Sequence, residues 1–339
     1  MGACFTFTRA ALLAAGCLLF ALWLGAAVGE TSIPMDVVAK TVANRLFHAT
    51  YSLDAIDEGI VWNYRLSRAV VAACCGASLA VSGVVLQSLL RNPLADPYIL
   101  GISAGASTGA VGVAILGFGA GMLTMPLGAF LGALVAFALV SLLALRAGRG
   151  NSAIILAGVA GSQLFNALTS FIVTKAANAE QARGIMFWLL GNLSGVRWTD
   201  VSLALPIALA GFAVCLWHAR ALDAFTFGSQ SAASLGIPVR RVYIILAGVS
   251  ALMTAIMVSI VGSIGFIGLV IPHAARMIVG VRHGSLLPAA ALIGAIFMIA
   301  ADIVSRTIIA GQVLPIGVIT ALFGAPAFAL ILSQRRSAA

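Results

Sequence analysis

Apolar residues run along this chain in blocks of roughly twenty, separated by short polar, glycine- or proline-bearing breaks. A helix that crosses a bilayer needs about 20 mainly apolar residues, so each block matches one crossing. The pattern predicts ten spans, near 10–29, 66–89, 97–116, 121–145, 152–174, 198–218, 241–261, 265–281, 287–305 and 314–333, the eighth short and broken by Pro272. Arg9 precedes the first, and GAAVGE (25–30) resembles a signal cleavage site. Its apolar run of about 19 residues nevertheless exceeds a usual signal core of about 7 to 15, which favours a retained span.

Two of the breaks carry pattern of their own. Residues 175–197 predict a short amphipathic helix. Residues 219–240, of mixed polarity, are too long for a tight turn, and a short surface helix is predicted over 229–236, ending at Gly236 with Pro238 beyond it as a stop. An interfacial helix is the plain reading of that stretch; a docking surface for a partner is the functional one.

Composition agrees with the pattern: 62% of the 339 residues are hydrophobic, 9% are charged, and the mean hydropathy is +1.11. The expected fold is therefore all-α, one polytopic transmembrane domain over 1–339. Lys and Arg concentrate on the cytoplasmic side of short loops. With the N-terminus inside, 11 of the 19 basic residues and only Asp96 and Asp223 of the acids fall inside, giving the inner face +9 and the outer face no net charge. Topology accounts for the net charge of +9 without a nucleic-acid partner. Both termini are expected to be cytoplasmic.

Chemistry is sparse. The two lysines, Lys40 and Lys175, follow Ala39 and Thr174, so the Gly-Lys of a phosphate-binding loop is missing. Asp302 is the one clear acid within a predicted span, and Arg306 one turn later makes a structural ion pair as good a reading as a proton relay. The four histidines are scattered, and the five cysteines show no metal-ligand spacing. No acid cluster or paired nucleophile points to a membrane enzyme. A bundle wide enough for a pathway but lacking its own energy source points to a borrowed one.

At 91–106 the chain reads RNPLADPYILGISAGA. Pro93 and Pro97 suit a turn and the first turn of the next helix, and Asp96 suits a cap on free N–H groups. Arg91 is placed to meet anionic lipid or a partner. Gly101, Gly105 and Gly109 then recur every four residues, with Ser103 and Ser107 on a neighbouring face, a spacing that lets helices approach closely and could also border a pathway.

That string resembles the signature of the permease subunits of type II ABC importers for iron chelates, haem and cobalamin. SGVVLQSLL (82–90), GSIGFIGLVIPHAARMIVG (262–280), ADIVSR (301–306) and LPIGVITALFGAPAF (314–328) resemble further motifs of the same family, in order along almost the whole chain. The resemblance implies ten spans in two inverted sets, roughly two to five and seven to ten. It implies a second permease copy, two separate ATPase subunits that bind the ATP and Mg, and an extracytoplasmic substrate-binding protein, in a prokaryotic plasma (inner) membrane. No cofactor is expected on this chain.

Roles carry over by position. WNYRLSR (62–68) resembles the family's basic motif, so its two arginines, Arg65 and Arg68, together with Arg306 at the end of ADIVSR, are implied as arginine forks for acidic groups of the binding protein. The 219–240 segment is implied as the ATPase coupling segment, through Gly228, Ser229, Ala232, Leu235 and Gly236. Asn151 and Ser152 fall where the family places an inner gate, and they read equally as a helix start. Lys175, Arg183 and Arg197 could attract an anionic cargo at the outer mouth. Ser67 stands where the family often has proline, Ser229 where it often has glutamate, and Val313 where an acid often precedes Leu-Pro. An iron chelate, haem included, is the favoured cargo, with cobalamin as the alternative. From a different class, a secondary carrier would work as a single component, and a structural scaffold would show neither transport nor coupling.

Overall fold

The computed structural model describes residues 2–119, 121–147, 151–175, 179–309 and 311–336, and leaves aside the side chains of 2–11, 151, 179 and 331–336. Ten long or apolar helices among these residues occupy the ten predicted blocks. They are α1 (Gly2–Ala27), α4 (Ser67–Leu89), α5 (Ile102–Leu116), α6 (Met125–Ala147), α7 (Asn151–Thr174), α9 (Trp198–Trp217), α12 (Val239–Val261), α13 (Ile267–Val279), α14 (His283–Thr307) and α15 (Ile316–Arg336). Six are long and apolar enough to cross a bilayer outright, while α5, α13 and the apolar parts of α1 and α15 are shorter.

Helix α4 is the axis. Twenty of its 23 residues are buried, on all sides rather than along one stripe, as expected of a helix that packs against neighbours all round. It runs against α14, α9, α12 and α13, and a second group, α5 with α6 and α7, joins it through α12. Small residues set these distances. A Cβ on Gly109 would collide with the Gly128 carbonyl of α6, and one on Gly76 with the Gly294 carbonyl of α14. Close backbone approach of this kind supplies the packing contacts that lipid does not drive.

Two breaks differ from expectation. Pro97 opens a single 3₁₀ turn, Pro97–Leu100, rather than α5 itself; Gly101, at φ +75°, separates that turn from α5. Pro272 does not break the eighth span. It lies inside α13 and removes the N–H that would have bonded the Gly268 carbonyl, and that carbonyl instead accepts from Gln87 Nε2 of α4 at 3.2 Å.

The chain between α12 and α13 is irregular and lies in the interior, where backbone polar groups need partners. Tyr98 Oη meets both demands of Ile264, donating to its carbonyl and accepting from its N–H, each at 3.0 Å. Nearby, Asn192 N–H donates to the Val261 carbonyl at the end of α12, while Ile316 and Gly317 donate to the Gly191 and Leu190 carbonyls. The free N–H groups at the head of α15 are thereby satisfied by carbonyls from another segment.

Among the described residues, five shorter helices lie at the ends of the bundle. One end holds α2 (Met35–Phe47), α3 (Ala55–Gly59) with the π-helical turn Ile60–Leu66 that leads into α4, and α8 (Ala179–Leu189). The other holds α10 (Ala219–Phe225) and α11 (Ser229–Ser234). Of these, α8 and α11 fit the sequence pattern; α2, α3 and α10 lie in stretches without a continuous apolar run.

Candidate functional site

At the end bearing α2, the two arginines of the basic motif and Arg306 of α14 turn inward. Arg65, Arg68 and Arg306 are 4%, 8% and 4% exposed. Arg65, carried on the π-helical turn, donates from Nη1 to the Ala27 carbonyl at 2.8 Å and from Nη2 to the Thr31 carbonyl at 2.5 Å, strapping the chain that leaves α1. Arg68 Nε donates to Asp302 Oδ1 at 2.6 Å, and its Nη1 reaches Ser194 Oγ at 3.3 Å. Arg306 Nη2 stands 3.0 Å from Asp302 Oδ2 and donates to the Gly25 carbonyl at 2.9 Å. Within this chain the three arginines are engaged with Asp302 and with its own backbone carbonyls. The i, i+4 pairing of Asp302 and Arg306 anticipated from their spacing is present, and Arg68 is its third member.

Exposed cations do exist at this end. Lys175, Arg183 and Arg197 are all exposed, and the Arg197 backbone N–H donates to the Asp200 carboxylate at the head of α9. Trp198 Nε1 donates to the Trp62 carbonyl while the two indole rings lie 4.8 Å apart, which fastens α9 to the π-helical turn.

Between the two ends, a cavity of about 410 Å³ opens beside the irregular 262–266 segment. Asp96, Tyr98, Ser162, Gln163, Gly265 and Phe266 border it. Asp96 accepts from the Tyr98 N–H at 2.9 Å, the cap that its position suggested. Burial pushes its carboxyl up to about 6, against the opposing effect of that hydrogen bond.

The small-residue face of α5 divides its tasks. Gly105 and Gly109 meet α6, whereas Ser103 Oγ lies 2.7 Å from Ser263 Oγ of the irregular segment and Ser107 Oγ donates back to the Ser103 carbonyl. Sequence reading passed over Thr108, whose Oγ1 donates to the Phe165 carbonyl or to Thr169 Oγ1, both 2.8 Å away on α7. Its place in the four-residue small-side-chain repeat was the available signal.

At the opposite end, Phe227 and Leu235 are 76% and 72% exposed on either side of α11, and Ser229 is exposed. Gly228 and Gly236 take positive φ, at +107° and +79°. Ala232 is fully buried and anchors α11 to the bundle. Phe227 was missed, although a large apolar residue in a polar surface segment is the kind of signal that marks a contact surface. Arg91 lies against this segment, its Nη1 3.4 Å from where a Gly228 Cβ would stand. Ser152 is exposed near the start of α7, while the Asn151 side chain falls outside the described residues.

Residues 17–334 match the FecCD transport family. The chain belongs to that family. Curated relatives span several cargoes. The cobalamin import system permease protein of Halobacterium salinarum is 44% identical over 81% of this chain and 74% of its own length. The hemin transport system permease protein of Yersinia pestis is 38% identical over 81% of this chain and 84% of its own. The Fe(3+) dicitrate transport system permease protein of Escherichia coli is 35% identical over 95% and 96%. A solved structure described as an inward-facing conformation of a metal-chelate type ABC transporter superposes with a TM-score of 0.84 at 29% identity, covering 96% of this chain and 99% of that one. This FecCD chain is thus an all-α, multi-pass membrane protein with the permease architecture of type II ABC importers.

Proposed function

We propose that this chain forms the translocation pathway of an ATP-driven importer for an iron chelate, a ferric siderophore or haem. It would act as a pair of permease copies with two ATPase subunits and an extracytoplasmic binding protein. The observation that carries the reading is the segment around α11: it is anchored through buried Ala232, presents Phe227 and Leu235 outward, and follows directly on α10, which packs against α4 and α14. A rigid base with an exposed apolar face is what a transient partner contact needs.

Closure of the ATPases would move this segment and alternate access to the cavity beside Tyr98, with Asn151 and Ser152 at the inner gate. The end bearing α2 would receive the binding protein. There the buried arginines hold the rim in shape, while exposed Lys175, Arg183 and Arg197 raise the local concentration of an anionic cargo. ATP and Mg would reside in the partner chains.

The cobalamin reading has its own support in the identity to the Halobacterium salinarum protein. Native mass spectrometry of the complex recovered through a tag on this chain, from source cells grown under iron limitation, tests both. The proposal expects two copies of this chain with two ATPase subunits, together with a binding protein carrying an iron chelate; a bound corrinoid would favour the second reading. Recovery of this chain alone, active without ATP, would overturn the importer assignment.

A further inference from the structure

Asp223, His283 and Ser88 form a bonded chain across the three helices α10, α14 and α4. Asp223, on α10, accepts from the His283 backbone N–H at 2.9 Å and lies 2.7 Å from His283 Nδ1. A carboxylate only accepts, so Nδ1 carries the proton. His283 Nε2 is 2.6 Å from Ser88 Oγ in the last turn of α4, and Ser88 Oγ is also 3.0 Å from the Val84 carbonyl. His283 is 2% exposed and Ser88 6%. The order of contacts imitates a hydrolase triad. A buried serine engaged with its own helix carbonyl has no place for a substrate, however, and the arrangement reads as a clasp.

Its position gives the clasp meaning. Helices α4 and α14 run antiparallel, joined at one end by Ser88 and His283 and at the other by Arg68 and Asp302. The two joints are separated by 20 residues on α4 and 19 on α14, about 30 Å at the helical rise. Midway, Gly76 and Gly294 bring the two backbones into contact. The pair is therefore a strut fastened at both ends, and Asp223 ties its lower joint to α10, three residues before Thr226 and the turn into α11.

We infer that His283 is a positioning residue for transport: it clasps α10 to the α4–α14 strut, so that movement of the coupling segment is delivered across the bilayer instead of being lost in a loose loop. The inference rests on the reading that the 219–240 segment meets the ATPase. A two-ended, hydrogen-bonded element of this kind supplies the contiguous physical link that coupling between distant sites calls for.

The experiment uses the complete importer in proteoliposomes, comparing wild type with His283→Ala and with Ser88→Ala, which removes a single hydroxyl and keeps the fold. Each complex is assayed for ATP hydrolysis and for cargo imported per ATP consumed. The expected result is hydrolysis within about twofold of wild type and import per ATP lowered at least tenfold in His283→Ala, with a smaller drop in the same direction for Ser88→Ala. Unchanged import per ATP in both variants, or hydrolysis and import falling in parallel, would show the clasp to be merely structural. A wild-type complex that imports without ATP would defeat the functional reading instead, so the two failures are distinguishable.

Discussion

The two ends of the bundle are each closed by an aspartate, and they differ in how deeply it is set. Asp302 is 1% exposed and holds two arginines, Arg68 and Arg306; the Asp223 side chain is 39% exposed and holds one histidine. The first joint is a buried three-charge cluster, and the second is half open to solvent. A buried charge whose partner is removed costs several kcal/mol, whereas an exposed pair contributes little. Both ends are thus fastened, one by buried charges and the other by a clasp whose carboxylate stays in contact with solvent beside the short helices α10 and α11.

The largest effect should come from breaking the lock. Asp302→Ala leaves Arg68 and Arg306 buried without a counter-charge and should cost about 3–5 kcal/mol, seen as loss of folded protein or a strongly lowered melting temperature in detergent. Arg68→Glu should behave alike. If Arg68→Glu instead melts as wild type and loses only affinity for the binding protein, the arginine is a docking group and the account of this end is wrong.

Next in size is the middle of the strut. Gly76→Leu drives a side chain into the Gly294 carbonyl and should destabilise by about 1–3 kcal/mol or more, as overpacking does. Wild-type stability would show that α4 and α14 can part freely, which would remove the connection between the two ends.

Asp223→Asn should cost less than Asp302→Ala, about 1 kcal/mol, because the Asp223 side chain is part exposed to solvent and the amide oxygen still accepts. A loss equal to that of Asp302→Ala would erase the contrast between the ends.

Asp96 offers a smaller, pH-dependent contrast. Folding raises its carboxyl to about 6, so its neutral form is favoured in the native state. The stability linked to it is complete below about pH 4 and is lost as pH rises through about 6. Melting curves of wild type should therefore fall relative to Asp96→Asn by a few degrees between pH 4 and pH 7. A constant gap would mean that burial does not hold this acid. Smallest of all, Lys175→Ala, Arg183→Ala and Arg197→Ala should each change stability by under about 0.5 kcal/mol.

The sequence made the long helices legible because bilayer thickness imposes a length that apolar runs must meet; α4, α6, α7, α9, α12 and α14 needed nothing further. The π-helical turn and α2 were hidden, since residues 30–65 mix charges with scattered apolar positions and their order comes from packing on the end of α1 and on Arg65. The arginines were legible but their intrachain partner was not: Arg68 and Asp302 are 234 residues apart, and no local spacing announces that contact. Asp302 and Arg306, one turn apart, could be read directly. The burial of Ala232 was hidden for a related reason, because a six-residue helix carries too short a pattern to show which face is buried.

Import by the purified complex tests the central claim most directly. Proteoliposomes holding this chain with its ATPase subunits, supplied with the loaded binding protein on one side and ATP on the other, should accumulate the iron chelate only when ATP can be hydrolysed. Equal uptake with ATP omitted, or by this chain alone, would contradict the account.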